Sequence, residues 1–170
     1  ILTGQYSHVN GVYNLPDALD PDSLNVSKIL QKNGYQTSLI GKWHLKKEPS
    51  GFDYYKVLPG QGLYNDPYFK TKENWKDGYQ GGVREKGFSS DIIGDSSIEW
   101  LKKIDRNKPF FMMVESSQID WGGEDNSLSY VLSEFKEFDL AIAKALDFAK
   151  ADGNTLVIVT ADHELSLIHI

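Results

Sequence analysis

Tyr35-Gln36-Thr37-Ser38-Leu39-Ile40, followed directly by Gly41-Lys42-Trp43-His44, decides the fold class of this chain. The first six residues favour a strand, and a polar cluster falls at that strand's carboxyl end. Upstream, Asp22 and Ser23 predict the cap of a helix with Val26, Ile29 and Leu30 on one face, stopped by Asn33-Gly34. A helix feeding a strand that ends in polar residues is the repeating unit of an α/β sheet. The pattern recurs at the other end of the chain. Asn154-Thr155-Leu156-Val157-Ile158-Val159-Thr160 predicts a buried parallel strand that delivers Ala161-Asp162-His163-Glu164 at its mouth. Open α/β sheets place their ligands at that edge, and an adjacent Asp and His can converge on one divalent cation. A surface turn is the ordinary alternative for such a pair.

Between these ends, Ser89 or Ser90 starts a second helix carrying Ile93, Trp100, Leu101 and Ile104 at helical spacing. Asn107-Lys108-Pro109 breaks it, and Phe110 to Val114 predicts a buried strand. The longest helix is expected over about 128–150, with Val131, Phe135, Phe138, Ile142, Ala145 and Ala149 in one stripe and Asp152-Gly153 as its turn. Residues 48–87 are punctuated by Pro and Gly and rich in Tyr and Phe. They predict long loops with short strands, the kind of segment that shapes a substrate cleft. The element order implies helices covering a parallel sheet, with every polar cluster at one edge.

With 170 residues and 40% hydrophobic content, one cored globular domain is the default, and no stretch reads as a membrane span. The net charge of -6 argues against nucleic acid as a partner, and Lys46-Lys47 and Lys102-Lys103 read as solvated faces. The absence of cysteine removes disulfides, thiol nucleophiles and cysteine-held zinc from this sequence. Ile1-Leu2-Thr3-Gly4 carries no charged-then-apolar leader, which predicts a chain that starts inside a longer one. Ser7-His8 with Ser133-Glu134 lacks the Gly-x-Ser-x-Gly elbow of a serine hydrolase. Gly60-Gln61-Gly62 and Gly81-Gly82 lack the strand-to-helix setting of a dinucleotide loop and read as turns.

Gly34 to His44 closely resembles the second signature of the sulfatase family, and Leu2-Thr3-Gly4-Gln5-Tyr6 resembles the tail of the first. The likeness continues through Gly51-Phe52-Asp53-Tyr54 and Asp91-Ile92-Ile93 to Lys108-Pro109-Phe110-Phe111, so that it covers residues 1–111. It implies that Lys42 and His44 are catalytic, contacting the sulfate ester and the nucleophile. A fixed ammonium and an imidazole beside a transferring sulfuryl group stabilise its oxygens as charge redistributes. A solvent-facing Lys and a packed His are the ordinary alternative.

Residues 112–164 instead resemble alkaline phosphatase, through Val114-Glu115-Ser116-Ser117-Gln118-Ile119-Asp120-Trp121-Gly122-Gly123 and Thr160-Ala161-Asp162-His163-Glu164. That resemblance implies Glu115 as a magnesium ligand, Asp120 as a ligand of one zinc, and Asp162 and His163 facing both metals. Two metals would clamp the attacking and leaving oxygens of phosphoryl transfer. Glu124 stands where the family carries a histidine zinc ligand, which alters the charge and geometry of that site. An acidic hydrated loop is the ordinary reading of Glu115, Asp120 and Glu124. In a sulfatase, Asp162 would hold calcium, with His163 contacting or tuning the site.

The two families share one superfamily, so the expected fold is a partial three-layer α/β/α sandwich with a mostly parallel sheet, alkaline-phosphatase-like. Residues 1–164 are expected to form one truncated domain, with 165–170 a non-native tail. The resemblance implies a hydrolase of glycan or small-molecule sulfate esters, periplasmic or secreted, using calcium. A phosphomonoester hydrolase using zinc and magnesium stays open, as does a non-catalytic or artefactual join whose Tyr54, Tyr64, Tyr68 and Trp75 contact sugar. A sulfatase nucleophile lies in a Cys/Ser-x-Pro-Ser-Arg motif, which these 170 residues do not contain, so the chain alone is expected to be inactive.

Overall fold

The computed structural model describes residues 2–116, 118–161 and 163, the side chain of Asp77 excepted. The chain folds as two compact units, Ile1–Glu115 and Ser116–Ile170. The amino unit holds α1 (Ser7–Asn10), α2 (Val26–Lys32), β1 (Gln36–Trp43), β2 (Tyr54–Pro59), β3 (Tyr68–Phe69), β4 (Val83–Arg84), α3 (Ser89–Lys103) and β5 (Phe110–Val114). The carboxyl unit holds α4 (Gln118–Glu124) and α5 (Leu128–Asp152).

β1 is the middle strand of a parallel sheet ordered β2-β1-β5, with Ile40 opposite both Lys56 and Val114. Side chains alternate across the sheet, and its two faces build two separate cores. Leu39 and Trp43 join Tyr55, Val57 and Phe52 on one face, against which Phe111 and Met113 pack. Ile40 joins Leu58, Phe69 and Ile93 of α3 on the other, with Trp100 and Met112 alongside. Both faces of β1 are therefore covered, as a central parallel strand requires.

Polar side chains fix the strand starts. Thr37 donates its amide (2.9 Å) and its hydroxyl (3.2 Å) to the Asp53 carboxylate, while the Asp53 amide donates back to Thr37 Oγ1 at 3.0 Å. Gln36 closes the turn before β5 by donating Nε2 to the Asp105 carbonyl (2.9 Å) and accepting the Asp105 amide (2.8 Å). At the far end the carboxyl termini of β1 and β5 come close together. Gly41 sits at φ +122, and a Cβ there would stand 2.8 Å from the Glu115 carbonyl oxygen.

Several expectations need correction. The cap of α2 is Asn25, whose side chain accepts the Lys28 amide at 2.9 Å, and Val26 and Ile29 are exposed rather than packed. Asn25 also donates to the Ser50 carbonyl, a long-range contact that local spacing could not reveal. The stretch expected as long loops with short strands does contain β2, β3 and β4, and β2 buries Tyr55, Val57, Leu58 and Pro59 in the core. β5 is half-buried, and its Val114 is exposed. α5 matches its expected span with two further residues, but Phe135 in its stripe is exposed. The largest departure is the final strand. Residues 154–160 form no strand, and Leu156, Ile158 and Val159 are exposed, because no described strand pairs with them. No described helix is long and apolar enough to cross a membrane.

Two glycines should respond in opposite senses. Gly41→Ala forces a Cβ onto backbone in a left-handed conformation and is expected to cost about 2–3 kcal/mol. Gly94, exposed in the interior of α3 with nothing within 4 Å of its missing Cβ, should gain about 0.5–1 kcal/mol as Ala. Urea unfolding of the two variants checks both signs.

Candidate active site

β1 carries its polar residues past the edge of the sheet. Lys42 is its penultimate residue, half-buried, and its backbone amide donates to Glu115 Oε2 at 3.1 Å. The Glu115 amide in turn donates to the Ile40 carbonyl at 3.2 Å, so β5 continues along β1 until its carboxylate folds onto the strand end. The structure thus brings together Lys42 and Glu115, which the sequence assigns to two different chemistries.

His44 follows, half-buried at the wall of a cleft of about 390 Å³ between the ends of β1 and β2. Burial is the main reason its pKa lies below the ordinary 6.5, with the charges of Lys46 and then Lys42 acting in the same direction. Imidazole is therefore the favoured form near neutral pH. Lys46, Gln61, Tyr68 and Gln80 share the cleft wall with His44. Tyr79 fastens its floor, donating to the Trp43 carbonyl at 2.8 Å and accepting the Gly60 amide at 2.5 Å.

Sequence reasoning misses Lys46 and Gln61. In one dimension Lys46 belongs to a solvated lysine pair, and Gln61 is a turn residue between glycines. Lys46 occupies the left-handed region at φ 64, a placement that costs a non-glycine residue about 1–2 kcal/mol and leaves no trace in the sequence. The aromatic set also divides. Tyr54 packs against the core, Tyr64 tilts against Phe88, and Trp75 meets Tyr55 edge-on, leaving Tyr68 on the cleft.

In the carboxyl unit, the segment that could have been an acidic loop is a helix. α4 carries Asp120 and Glu124 four residues apart, hence on one face, with Glu124 exposed. His163 Nε2 lies 3.5 Å from Asp120 Oδ1. Two donors bound to one tetrahedral zinc at about 2.0–2.1 Å stand roughly 3.4 Å apart, so this oxygen–nitrogen pair suits a borderline cation. Asp162 lies outside the described residues. Among the described residues no three carboxylate or imidazole groups cluster tightly enough to hold a metal ion.

The depressed pKa of His44 has a definite linkage sign. Its neutral form contributes stability that is present above the unfolded value of 6.5 and is lost as pH falls through the lower folded value. An NMR titration of the His44 ring should give a midpoint below 6.5. That midpoint should rise in Lys46→Gln, and by less in Lys42→Gln, following the order of the two charges.

Known proteins resemble the chain in two ways. The alkaline phosphatase family model matches residues 91–168. The chain is 47% identical over 116 residues to N-acetylglucosamine-6-O-sulfatase of Bacteroides thetaiotaomicron, covering 66% of this chain and 20% of that protein. It is 52% identical over 72 residues to alkaline phosphatase 3 of Bacillus subtilis, covering 42% of this chain and 16% of that one. A solved structure of a protein in complex with its substrate D-glucosamine-2-N,6-O-disulfate superposes with a TM-score of 0.59 at 43% identity, over 66% of this chain and 22% of that chain. The chain spans about a fifth or less of the length of these curated relatives. A parallel sheet with its polar residues at one edge, joined to these two likenesses, places the chain in the alkaline phosphatase superfamily of hydrolases, with clear sulfatase similarity.

Proposed function

We propose that this chain is part of a sulfatase-like hydrolase acting on a glycan or small-molecule sulfate ester. The observation that carries the reading is Lys42-Trp43-His44 at the carboxyl end of the central strand, beside an open cleft, in a chain 47% identical over 116 residues to a sugar sulfatase. In this reading Lys42 and His44 are the catalytic groups supplied by the chain. The Lys42 ammonium opposes the charge on the sulfuryl oxygens, and the mostly neutral His44 offers one ring nitrogen as donor and the other as acceptor. Glu115 accepts the Lys42 backbone amide, fixing the point from which that flexible side chain leaves the strand. Nucleophilic attack requires a group outside these 170 residues, which contain no Cys/Ser-x-Pro-Ser-Arg sequence. The family resemblance carries with it a periplasmic or secreted location.

A metal bound by such a hydrolase acts as a Lewis acid on the ester oxygens. The sulfatase-like form assigns calcium to Asp162 and His163. A second reading, a phosphomonoester hydrolase with zinc and magnesium, is favoured by the Asp120–His163 pair and by the match over residues 91–168. It assigns Asp120, Asp162 and His163 to zinc, Glu115 to magnesium, and Glu124 to the position of a histidine ligand. The two readings meet near Phe110-Phe111, where the chain is proposed to join a sulfatase-like part to a phosphatase-like one within one domain of residues 1–164. Residues 165–170 lie outside the described set, and the alkaline phosphatase match extends to residue 168, into the segment expected to be a non-native tail. An uninterrupted read of the parent DNA across codons 105–120 tests the join, and two separate loci would remove it.

The pure chain is expected to hydrolyse neither 4-nitrophenyl sulfate nor 4-nitrophenyl phosphate above background. Metal-dependent turnover of either, abolished by Asp162→Ala, would overturn that expectation and name the chemistry by the ester consumed. Calorimetric titration should detect zinc binding that weakens roughly tenfold or more in Asp120→Ala under the phosphatase reading. Calcium binding insensitive to that change favours the sulfatase reading.

A further inference from the structure

The cleft beside His44 has a chemical character that hydrolysis of a lone sulfate ester leaves unused. Its wall presents Lys46, Gln61, Gln80 and Tyr68, and no carboxylate of a described residue lines it. Lys46 forms no ion pair among the described residues, and its Nζ lies 5.1 Å from the centre of the Tyr79 ring. Tyr79 bridges the ends of β1 and β2, so the ammonium rests against a fixed part of the sheet edge. The backbone there is left-handed at φ 64, where glycine would sit without strain. A strained lysine at the edge of a cleft points to use of its side chain.

Gln61 gives a second, independent sign. Its Oε1 is buried with no hydrogen-bond partner among the described residues, although Gln61 lines the cleft. A buried carbonyl left without a donor is unfavourable, and a ligand hydroxyl or N–H would satisfy it. Tyr68, partly exposed on the same wall, offers an aromatic face of the kind that packs against a sugar ring.

We propose that Lys46 and Gln61 form a specificity subsite next to Lys42 and His44, at which Lys46 pairs with a second anionic substituent of the sugar and Gln61 accepts a hydrogen bond from a neighbouring hydroxyl or N–H. The preferred ligand class is then a sugar sulfate carrying a further sulfate or carboxylate. This inference rests on the sulfatase-like reading of the cleft. Both residues are specificity groups and take no part in bond cleavage.

The test is calorimetric titration of the full chain with D-glucosamine 6-sulfate and with D-glucosamine-2-N,6-O-disulfate at fixed ionic strength. Wild type should bind the disulfate roughly tenfold more tightly. Lys46→Gly should erase that preference without lowering the thermal midpoint, since it relieves the left-handed strain. Lys46→Arg should keep the preference, and Lys47→Ala, which removes the same charge from the adjoining exposed residue, should leave it intact. Gln61→Leu should weaken both sugars alike. Equal affinities in wild type, a preference that survives Lys46→Gly, or an equal loss in Lys47→Ala overturns the subsite alone, provided the monosulfate binds and depends on Lys42. Failure of wild type to bind either sugar overturns both the subsite and the reading it rests on.

Discussion

Where β1 ends, there is no room for a Cβ. Gly41 lies against the backbone of Glu115 in a conformation that L side chains rarely adopt, and that close approach sets how near the exits of β1 and β5 come to each other. The Glu115 carboxylate reaches the Lys42 amide because the strands close here. The direction in which Lys42, Trp43 and His44 leave the sheet follows from the same approach. A larger residue at position 41 would separate the two strand ends and displace every polar group carried by them.

The sheet makes that closure rigid. β1 is hydrogen-bonded along both edges and covered on both faces, so its carboxyl end has little freedom. Thr37 and Asp53 lock its start to β2, while Tyr79 ties Trp43 to Gly60 at its finish. Held at both ends, β1 and β2 define the cleft between them. Charge then sets the character of the cleft: burial and two nearby lysines favour neutral His44. Proton transfer near neutral pH suits such a group better than a permanent imidazolium.

Much of this is legible in the residue order. α3 and α5 follow from helical periodicity and β1 and β5 from β-rich or apolar runs, all local signals, although β1 continues through Trp43 beyond its expected end at Ile40. β2 hides among glycines and prolines, since a six-residue buried strand between turns has too little length to show a period. Asn25 displaces Asp22 and Ser23 as the cap of α2 through its added bond to Ser50, twenty-five residues away. The apolar run at 154–160 satisfies the local rule for a buried strand, yet a strand also needs a paired neighbour, and propensity cannot supply one.

By itself the sequence determined the parallel α/β class, the superfamily likeness and the placing of Lys42 and His44 at a strand's carboxyl end. Those features depend on periodicity and on short contiguous motifs. Tertiary structure alone decided that Glu115 caps the Lys42 amide, that Asp120 meets His163, and that Lys46 and Gln61 line the cleft. Each of these depends on a backbone conformation or on the meeting of segments distant along the chain. Lys46 illustrates the difference most sharply. Two adjacent lysines look alike in one dimension, and only the left-handed turn at the first sends them to different surroundings, one to the cleft wall and one to solvent.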